Sequence, residues 1–282
     1  MVFLLLNRKQ FRKKTLMTSK LLRLITVILG ILMVMPAYSE PVIEGGRELT
    51  DEELKSSIGR YGEGEEIPED FEFSEAETKL WLSNHLGNIT QPARLYYEFV
   101  KSGSYEEGFS DAVYLDVIEF NEDGTKNVVL DFFTGARKQA VQPDNVTHVR
   151  GNPVLGIYMQ GDVYEMNRLT DGSWRHFMKM IKIALRKQAR VEKVTFDFNG
   201  KQYEGDKIIF NPYENDPHRM DFLKFADKTY EIILSKDIPG TLFQIKTVIS
   251  DNSKEDVKES LIEERITLIE ANFSADKKIS GK

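Results

Sequence analysis

Histidine is the residue type in this chain best suited to metal binding or acid–base catalysis. The chain has four: His85, His148, His176 and His218. None lies four residues from another, the spacing that places two metal ligands on one face of a helix. A zinc site assembled from distant histidines is the remaining alternative. The chain has no cysteine, so thiol catalysis, disulfide exchange and cysteine-ligated zinc are excluded. We therefore expect no metal and no cofactor.

Motifs of known catalytic machinery are also missing from the sequence. There is no G-x-S-x-G nucleophile motif, and Ser173 is explained as the cap of a helix. Four aspartates, Asp111, Asp116, Asp131 and Asp197, lie on predicted strands, where paired carboxylates could act as in glycoside hydrolases. We expect them to face solvent on the polar side of an antiparallel sheet. The sequence therefore predicts no catalytic residue and a non-enzymatic protein.

One set of charged residues predicts a binding surface, on a helix expected from Trp174 to about Arg190. Offsets of four, three, four and four residues place five cations within an arc of roughly 80° on this helix. These five residues, the basic stripe, are Arg175, Lys179, Lys182, Arg186 and Arg190. The stripe suits an anionic lipid headgroup, a phosphorylated glycan or an acidic partner. The alternative is that it pairs with the protein's own acids, such as those in residues 44–77.

The beginning of the chain predicts export. Positive residues precede an uncharged run at 24–35, and Ala37 and Ser39 are the small residues of a cleavage site. The run is too short to span a hydrocarbon layer of roughly 30 Å comfortably, although a retained membrane anchor is the alternative. We predict a signal peptide region at 1–39, cleaved after Ser39, with Met17 as a possible true start.

The charge of the mature chain limits its partners. Residues 1–39 carry seven Lys and Arg and no acid, so their removal changes the formal net charge from −7 to −14. Global charge of this sign disfavours nucleic acid and anionic membrane surfaces, so such contacts need a local basic patch. Export without cysteine is typical of a bacterial periplasm. We expect a periplasmic protein that is not integral to the membrane after cleavage.

The mature chain divides into three predicted segments. Residues 40–72 are acidic and poor in apolar residues, and we predict a flexible arm there. Residues 73–273 are predicted to form a single β-rich domain, and residues 274–282 a tail. A capping box at Ser74 and Glu77 begins the first helix of the domain.

The domain alternates between strand and helix patterns. Leu80, Trp81 and Leu86 are expected on one face of the first helix. Residues 152–190 predict two further helices, separated at Asp171–Ser173. Period-two alternation predicts roughly eight strands in two meanders, one on each side of this helical pair. The predicted strands are 93–100, 109–120, 128–133, 191–198, 202–210, 230–234, 242–249 and 261–273. The last also permits a helix, but its β-branched residues favour a strand. We predict an α+β, mainly β fold with helices on one side.

Two resemblances add to this interpretation. Residues 150–174 and 228–243 resemble a group of uncharacterised proteobacterial exported proteins, a similarity that covers roughly residues 93–250. Long meanders interrupted by helices are similar to the curved half-barrel of periplasmic lipoprotein carriers. That resemblance implies a strongly curved antiparallel sheet around an apolar cavity that helices close. It transfers no ligand residue, because fold alone does not define function.

Three functions follow as hypotheses. The first is a binding protein of the cell envelope that holds a lipid or a lipidated ligand. The second is a structural or interaction protein with a filled core that acts through its basic helix. The third is an enzyme with no recognisable motif. A continuous apolar void would favour the first, and a packed interior the second.

Overall fold

A computed structural model of the 282-residue chain describes residues 72–139, 146–250 and 260–273. These residues belong to one compact unit, residues 67–282. The predicted signal peptide region, its cleavage site, the acidic arm up to residue 71 and the tail at 274–282 lie outside the described residues.

The described residues form a nine-stranded antiparallel sheet that is not closed. Its spatial order is β4-β3-β2-β1-β9-β8-β7-β6-β5, so each meander forms one half of the sheet and β9 joins them in the middle. The strands are β1 (Ala93–Ser102), β2 (Phe109–Phe120), β3 (Lys126–Phe132), β4 (Val146–Val149), β5 (Arg190–Phe198), β6 (Lys201–Phe210), β7 (Thr229–Leu234), β8 (Leu242–Ser250) and β9 (Ser260–Phe273). This confirms the predicted mainly β, α+β fold.

Local sequence accounts for most of these strands. The β5–β6 hairpin turns at Asn199 and Gly200, whose φ angles are 50° and 73°. Positive φ at both central residues defines the type I′ turn that Asn-Gly favours. The final segment is a strand, as its β-branched residues predict, and it pairs with β1 on one side and β8 on the other. The prediction missed β4, a four-residue strand in which His148 has a φ of 56°.

Three α-helices accompany the sheet in the described residues: α1 (Glu75–Glu77), α2 (Pro153–Thr170) and α3 (Trp174–Lys187). In sequence, α2 and α3 connect β4 to β5, the two edges of the sheet. The pair therefore crosses from one edge to the other, and we call it the helical cover. α2 contacts the inner face of the sheet and α3 packs along α2. No helix in the described ranges is long and apolar enough to cross a bilayer.

Two predicted details of the helices are wrong. Trp81 is 42% exposed although Leu80 and Leu86 are buried, because a π-helical stretch (Thr78–Leu82) follows α1 and changes the angular spacing of the side chains. The basic helix ends at Lys187, and Arg190 is the first residue of β5, where it pairs with Ile209. The N–H groups of residues 188 and 189 both bond to the carbonyl of Ala184, which ends the helix before Arg190.

The core lies between the helical cover and the inner face of the sheet. From α2 it receives Val154, Leu155, Met159, Val163 and Met166, and from α3 it receives Phe177, Ile181, Ala184 and Leu185, all at most 2% exposed. Side chains of the cover therefore fill the space above the inner face.

Candidate functional site

Four polar side chains form a continuous row across the inner face of the sheet. The strand register pairs Tyr230 with Thr247, Thr247 with Glu264, and Glu264 with Lys101. These residues lie on β7, β8, β9 and β1, which are adjacent, so the row spans roughly 14 Å at the usual strand spacing. We call them the polar row. Because β1 ends and β9 begins near this row, it lies close to one end of the sheet.

The next inner row is apolar throughout. Its members pair in the order Ile208, Ile232, Ile245, Ile266 and Phe99 across β6, β7, β8, β9 and β1. All five are at most 3% exposed. The inner face is thus an apolar surface with a line of polar groups beside one end. An amphiphile, which has an apolar chain and a polar headgroup, shows the same division.

The helix α2 places three polar partners over the polar row. Tyr158, Asp162 and Glu165 follow one another at four and three residues, which puts them on one helix face. The Tyr158 hydroxyl lies 2.8 Å from the Thr247 hydroxyl and donates to Glu264 at 3.2 Å. Polar contacts, and not only apolar packing, therefore hold this part of the cover to the sheet.

Two ion pairs join α2 to the sheet side. Glu165 accepts from the Lys101 ammonium at 2.7 Å. Asp162 accepts from both Lys228, which immediately precedes β7, and the hydroxyl of Tyr230. The Asp162–Lys228 pair is deeply buried, with side chains 0% and 2% exposed. Such a pair needs nearly complete hydrogen bonding to offset the cost of desolvating two charges.

The tyrosines of this site act as neutral hydrogen-bond donors. Burial raises the pKa values of Tyr158, Tyr213 and Tyr230. Because Tyr230 donates its proton to Asp162, the Tyr213 hydroxyl, 3.4 Å away, is the donor toward Tyr230. None of the three is thus placed to act as a phenolate base at neutral pH.

The pKa values of two carboxylates of the site shift in opposite directions. Burial raises the pKa of Glu264, and the charges of Lys228 and Lys101 only partly counteract it. Burial also opposes ionisation of Glu165, but bonds from Arg168 and Lys101 outweigh it and lower its pKa to about 2. Desolvation disfavours the charge of Lys101 as well, but neighbouring carboxylates, Glu264 first, raise its pKa. Lys101 and Glu165 therefore remain charged over a wide pH range.

The network continues from the polar row to an exposed rim. Glu106, in the β1–β2 loop, bonds to Arg168 of α2 at 2.9 Å and pairs with Lys101 at 2.7 Å. Next to it, Tyr105 packs edge-on against Phe225, with ring centroids 5.2 Å apart. Phe225 ends a 3-10 turn (Arg219–Phe225), on which Met220 is 75% and Leu223 50% exposed. Apolar side chains thus meet solvent next to the network.

Two of the four histidines, His85 and His176, have hydrogen-bond partners that hold their rings in place. His85 is fully buried, and its Nδ1 accepts the N–H of Asn152 at 3.0 Å. Its Nε2 therefore carries the proton and donates to the carbonyl of Lys79 at 2.7 Å. Burial lowers the pKa of His85, so the ring is neutral. His176 pairs with the buried Asp216 at 2.7 Å. Within the described ranges, no group of three His, Asp or Glu side chains is arranged to hold a metal.

Of the four strand aspartates, Asp116 and Asp131 lie opposite the inner face, whereas Asp111 pairs with Phe99 of the inner row and Asp197 shares the side of Val191, so the expectation of a common outer face is wrong. Asp116 is buried because Arg94 covers it with two hydrogen bonds of 2.6 Å. The expectation of a fully wet face is wrong at this position. Asp111 accepts from the N–H and hydroxyl of Thr134 at 2.9 and 2.6 Å, beside a shallow polar groove of about 490 Å³. Asp131 pairs with Lys138, and Asp197 is exposed.

The basic stripe is divided between two elements. Arg175 and Lys179 are exposed on α3, and Arg175 stacks on the ring of Trp174 at 4.5 Å. Burial, and next the charge of Arg186, lower the pKa of Lys182 to about 8. Arg186 bonds to Glu77 at 3.3 Å, so an acid from the 44–77 region pairs with it. Only four of the five cations share the helix.

Together these observations describe an open antiparallel sheet with a helical cover on its inner face, as in half-barrel folds. No protein-family model matches the chain, and the search of curated proteins gave no match. Among solved structures it is similar to the lipoprotein LppX of Mycobacterium tuberculosis, with 9% identity, a TM-score of 0.31, and coverage of 72% of this chain and 99% of that one. It is also similar to a LolA-superfamily protein of Nitrosomonas europaea, with 7% identity, a TM-score of 0.21, and coverage of 72% and 94%. Likeness this distant transfers no ligand to this chain.

Proposed function

We propose that this protein is a non-catalytic, exported binding protein of the cell envelope that takes up the acyl part of a lipid or a lipidated ligand. The acyl chain would lie between the inner face of the sheet and the helical cover. The observation that carries the proposal is the inner face itself, whose apolar row lies beside a polar row under a cover that spans both sheet edges.

The interior of the described residues is packed, which by itself favours a structural or interaction protein with a filled core, so acyl uptake requires that the cover move to admit a ligand. Side chains of α2 and α3 occupy the space over the apolar row, so uptake exchanges their apolar contacts for those of the acyl chain. Such an exchange costs little in hydrophobic free energy because similar apolar area stays buried. The exposed Met220 and Leu223 beside the network support an entry point for an apolar chain at the rim.

Trp174 offers a direct measurement of this uptake. It begins α3 and packs edge-on against Tyr164 of α2, with ring centroids 5.6 Å apart. The chain has two tryptophans, so Trp81→Phe leaves Trp174 as the only one. We expect a lysophospholipid below its micelle concentration to shift Trp174 emission with a saturable dependence, and native mass spectrometry of the exported protein to show a copurifying acyl compound.

The matched control is Trp174→Phe, which leaves Trp81 in the π-helical stretch outside the cover. Its emission should not change on titration, and the headgroup without its acyl chain should affect neither variant. A ligand-free mass together with unchanged Trp174 emission would reject the proposal.

A second candidate function is an anionic contact through α3, supported by Arg175 and Lys179, which are exposed on the side of the helix opposite its buried face. We expect the exported protein to co-sediment with anionic vesicles and to lose this binding as salt screens the charges. The triple reversal of Lys179, Lys182 and Arg186 to Glu should abolish it. The control is an equal reversal of the exposed Lys187, Lys201 and Lys236. Unchanged co-sedimentation of a folded triple variant would remove the stripe as a binding surface.

A further inference from the structure

The buried network of the cover has opposite charges on its two sides. On the side of the sheet stand two lysines, Lys101 on β1 and Lys228 immediately before β7. On the side of the cover stand two carboxylates three residues apart on α2, Asp162 and Glu165. Each carboxylate bonds to one of the lysines. The helix thus presents a pair of anions to two lysines on the sheet side, one of which, Lys101, also pairs with Glu264 of β9 at 3.2 Å.

Hydroxyl donors complete the site on the sheet. Tyr230 donates to the same carboxylate as Lys228, and Tyr213 lies behind it. The one acid of the polar row, Glu264, lies 3.2 Å from the Lys101 ammonium. With α2 lifted, the sheet side would keep two ammonium groups, a phenol hydroxyl and this single carboxylate at the end of an apolar surface. Ammonium and hydroxyl donors are the groups that bind phosphate and carboxylate oxygens.

Two features of α2, a fixed N-terminal end and two interior glycines, favour movement of its C-terminal half. Its first residues are fixed, because the Asn152 side chain donates to the Tyr97 hydroxyl and to the carbonyl of Gly240, both at 2.9 Å. Beyond this anchor the helix contains Gly156 and Gly161. Both are exposed, and a Cβ at either would meet no atom within 4 Å. Packing does not require glycine there, and glycine weakens a helix interior relative to alanine. Both carboxylates follow the second glycine.

We propose that Asp162 and Glu165 occupy, in the closed protein, the place of the anionic headgroup of the ligand, and that the ligand is an anionic amphiphile. This inference rests on the proposed function and adds the chemistry of the headgroup. The acyl chain lies along the apolar row, and the phosphate or carboxylate bonds to Lys101, Lys228 and Tyr230. Because headgroup and α2 compete for one site, apparent affinity depends on the fraction of molecules in which α2 is displaced.

The test compares two amphiphiles with the same acyl chain, lysophosphatidic acid and lysophosphatidylcholine, by titration of Trp174 emission in the Trp81→Phe background. We expect the anionic amphiphile to bind about tenfold more tightly. Lys101→Met should reduce this ratio to about twofold or less. Glu165→Gln removes one carboxylate of the cover, so it should strengthen binding of the anionic amphiphile about three- to tenfold. Both positions lie at the edge of the network, where Glu106 and Arg168 remain as partners.

Lys246→Met is the matched control. Lys246 precedes Thr247 on β8, but its side chain is on the opposite face, where it pairs with Glu263 at 3.3 Å. It should leave the ratio of affinities unchanged. Glycerol phosphate distinguishes a soluble anion from a lipid headgroup, and binding of it as tight as that of the amphiphile would overturn the inference.

The outcomes separate the two proposals. Equal affinity for both amphiphiles, or a preference that survives in Lys101→Met, overturns the inference and leaves acyl binding in place. If neither amphiphile binds, acyl binding itself fails, and the assignment of a headgroup fails with it.

Discussion

Asp162→Ala is expected to lower the free energy of unfolding by about 3–5 kcal/mol. The carboxylate is fully buried and accepts from Lys228 and Tyr230. Its removal leaves an ammonium group and a phenol hydroxyl in the core without their acceptor, and a buried unpaired charge is among the most destabilising defects known. Urea denaturation of the chain from residue 40 onward, followed by far-UV circular dichroism, measures the loss.

The double variant Asp162→Leu with Lys228→Met separates the unpaired charge from the loss of volume. Apolar residues of similar size often replace a buried ion pair at little cost, so we expect the double variant to recover most of the stability lost by the alanine variant. Equal instability of the two would mean that packing, not charge pairing, explains the effect. A loss below about 1 kcal/mol for Asp162→Ala would contradict the burial of this pair.

The result also bears on the cover. If the ion pair contributes mainly specificity, the double variant keeps its stability. It lacks, however, the buried polar contact that fixes α2 in one register over the sheet. Buried polar groups that fix register at some cost in stability are known from other folds. Here the register matters because Tyr158, Asp162 and Glu165 must meet partners on β7, β8, β9 and β1 at once.

Sequence patterns predicted the strands well because one face of the sheet is buried. Alternation such as Leu95, Tyr97 and Phe99 fixes both the strand and its inner face, and β2 (Phe109–Phe120) has the predicted bounds. The short β4 was missed because four residues carry too little alternation. The N-terminal helix was predicted by its capping box, which is present at Ser74 and Glu77. The placement of Trp81 failed because no sequence pattern announces a π-helical turn.

The polar row was beyond sequence analysis for a different reason. Lys101, Thr247 and Glu264 are far apart in the chain, and only the register of β9 against β1 and β8 aligns them. One signal was visible in the sequence. Asp162 lies in helical spacing with Tyr158, Met159 and Met166, so an acid occupies the apolar face of α2. A buried acid requires a buried partner, although the sequence does not say which of 38 Lys and Arg residues supplies it.

The basic stripe illustrates the opposite error, in which a strong pattern extends too far. In the sequence, the helical spacing of the cations continues through Arg190, but Arg190 belongs to a strand. Charge spacing also cannot reveal a partner such as Glu77, which reaches Arg186 from another helix. The buried site under the cover has far weaker sequence signals than the stripe, yet its geometry is more specific.

Asn152→Ala is expected to destabilise the domain by about 2–4 kcal/mol through the anchor of α2. The Asn152 side-chain oxygen Oδ1 caps the helix by accepting the N–H of Val154 at 3.1 Å, and the side-chain Nδ2 donates to the Tyr97 hydroxyl and the Gly240 carbonyl. Loss of a cap costs about 0.5–2 kcal/mol, and leaving the buried Tyr97 hydroxyl without its donor adds about 1–3 kcal/mol; the Gly240 carbonyl still accepts the N–H of Leu242 at 2.7 Å. Thermal or urea unfolding at neutral pH measures the sum.

Asn152→Asp tests which part of the anchor matters, because a carboxylate keeps the cap but has no donor for Tyr97 and Gly240. We expect it to be at least as destabilising as alanine, since it also places a negative charge beside the Gly240 carbonyl. Ser173→Ala is the matched control at the start of α3. Ser173 is the N-cap residue, as predicted, but its hydroxyl makes no capping bond, so the substitution should cost about 0.5 kcal/mol or less. If Asn152→Asp kept full stability, the cap alone would hold α2, and the hydrogen bonds to Tyr97 and Gly240 would contribute nothing. The fixed N-terminal end on which movement of the C-terminal half depends would then be absent.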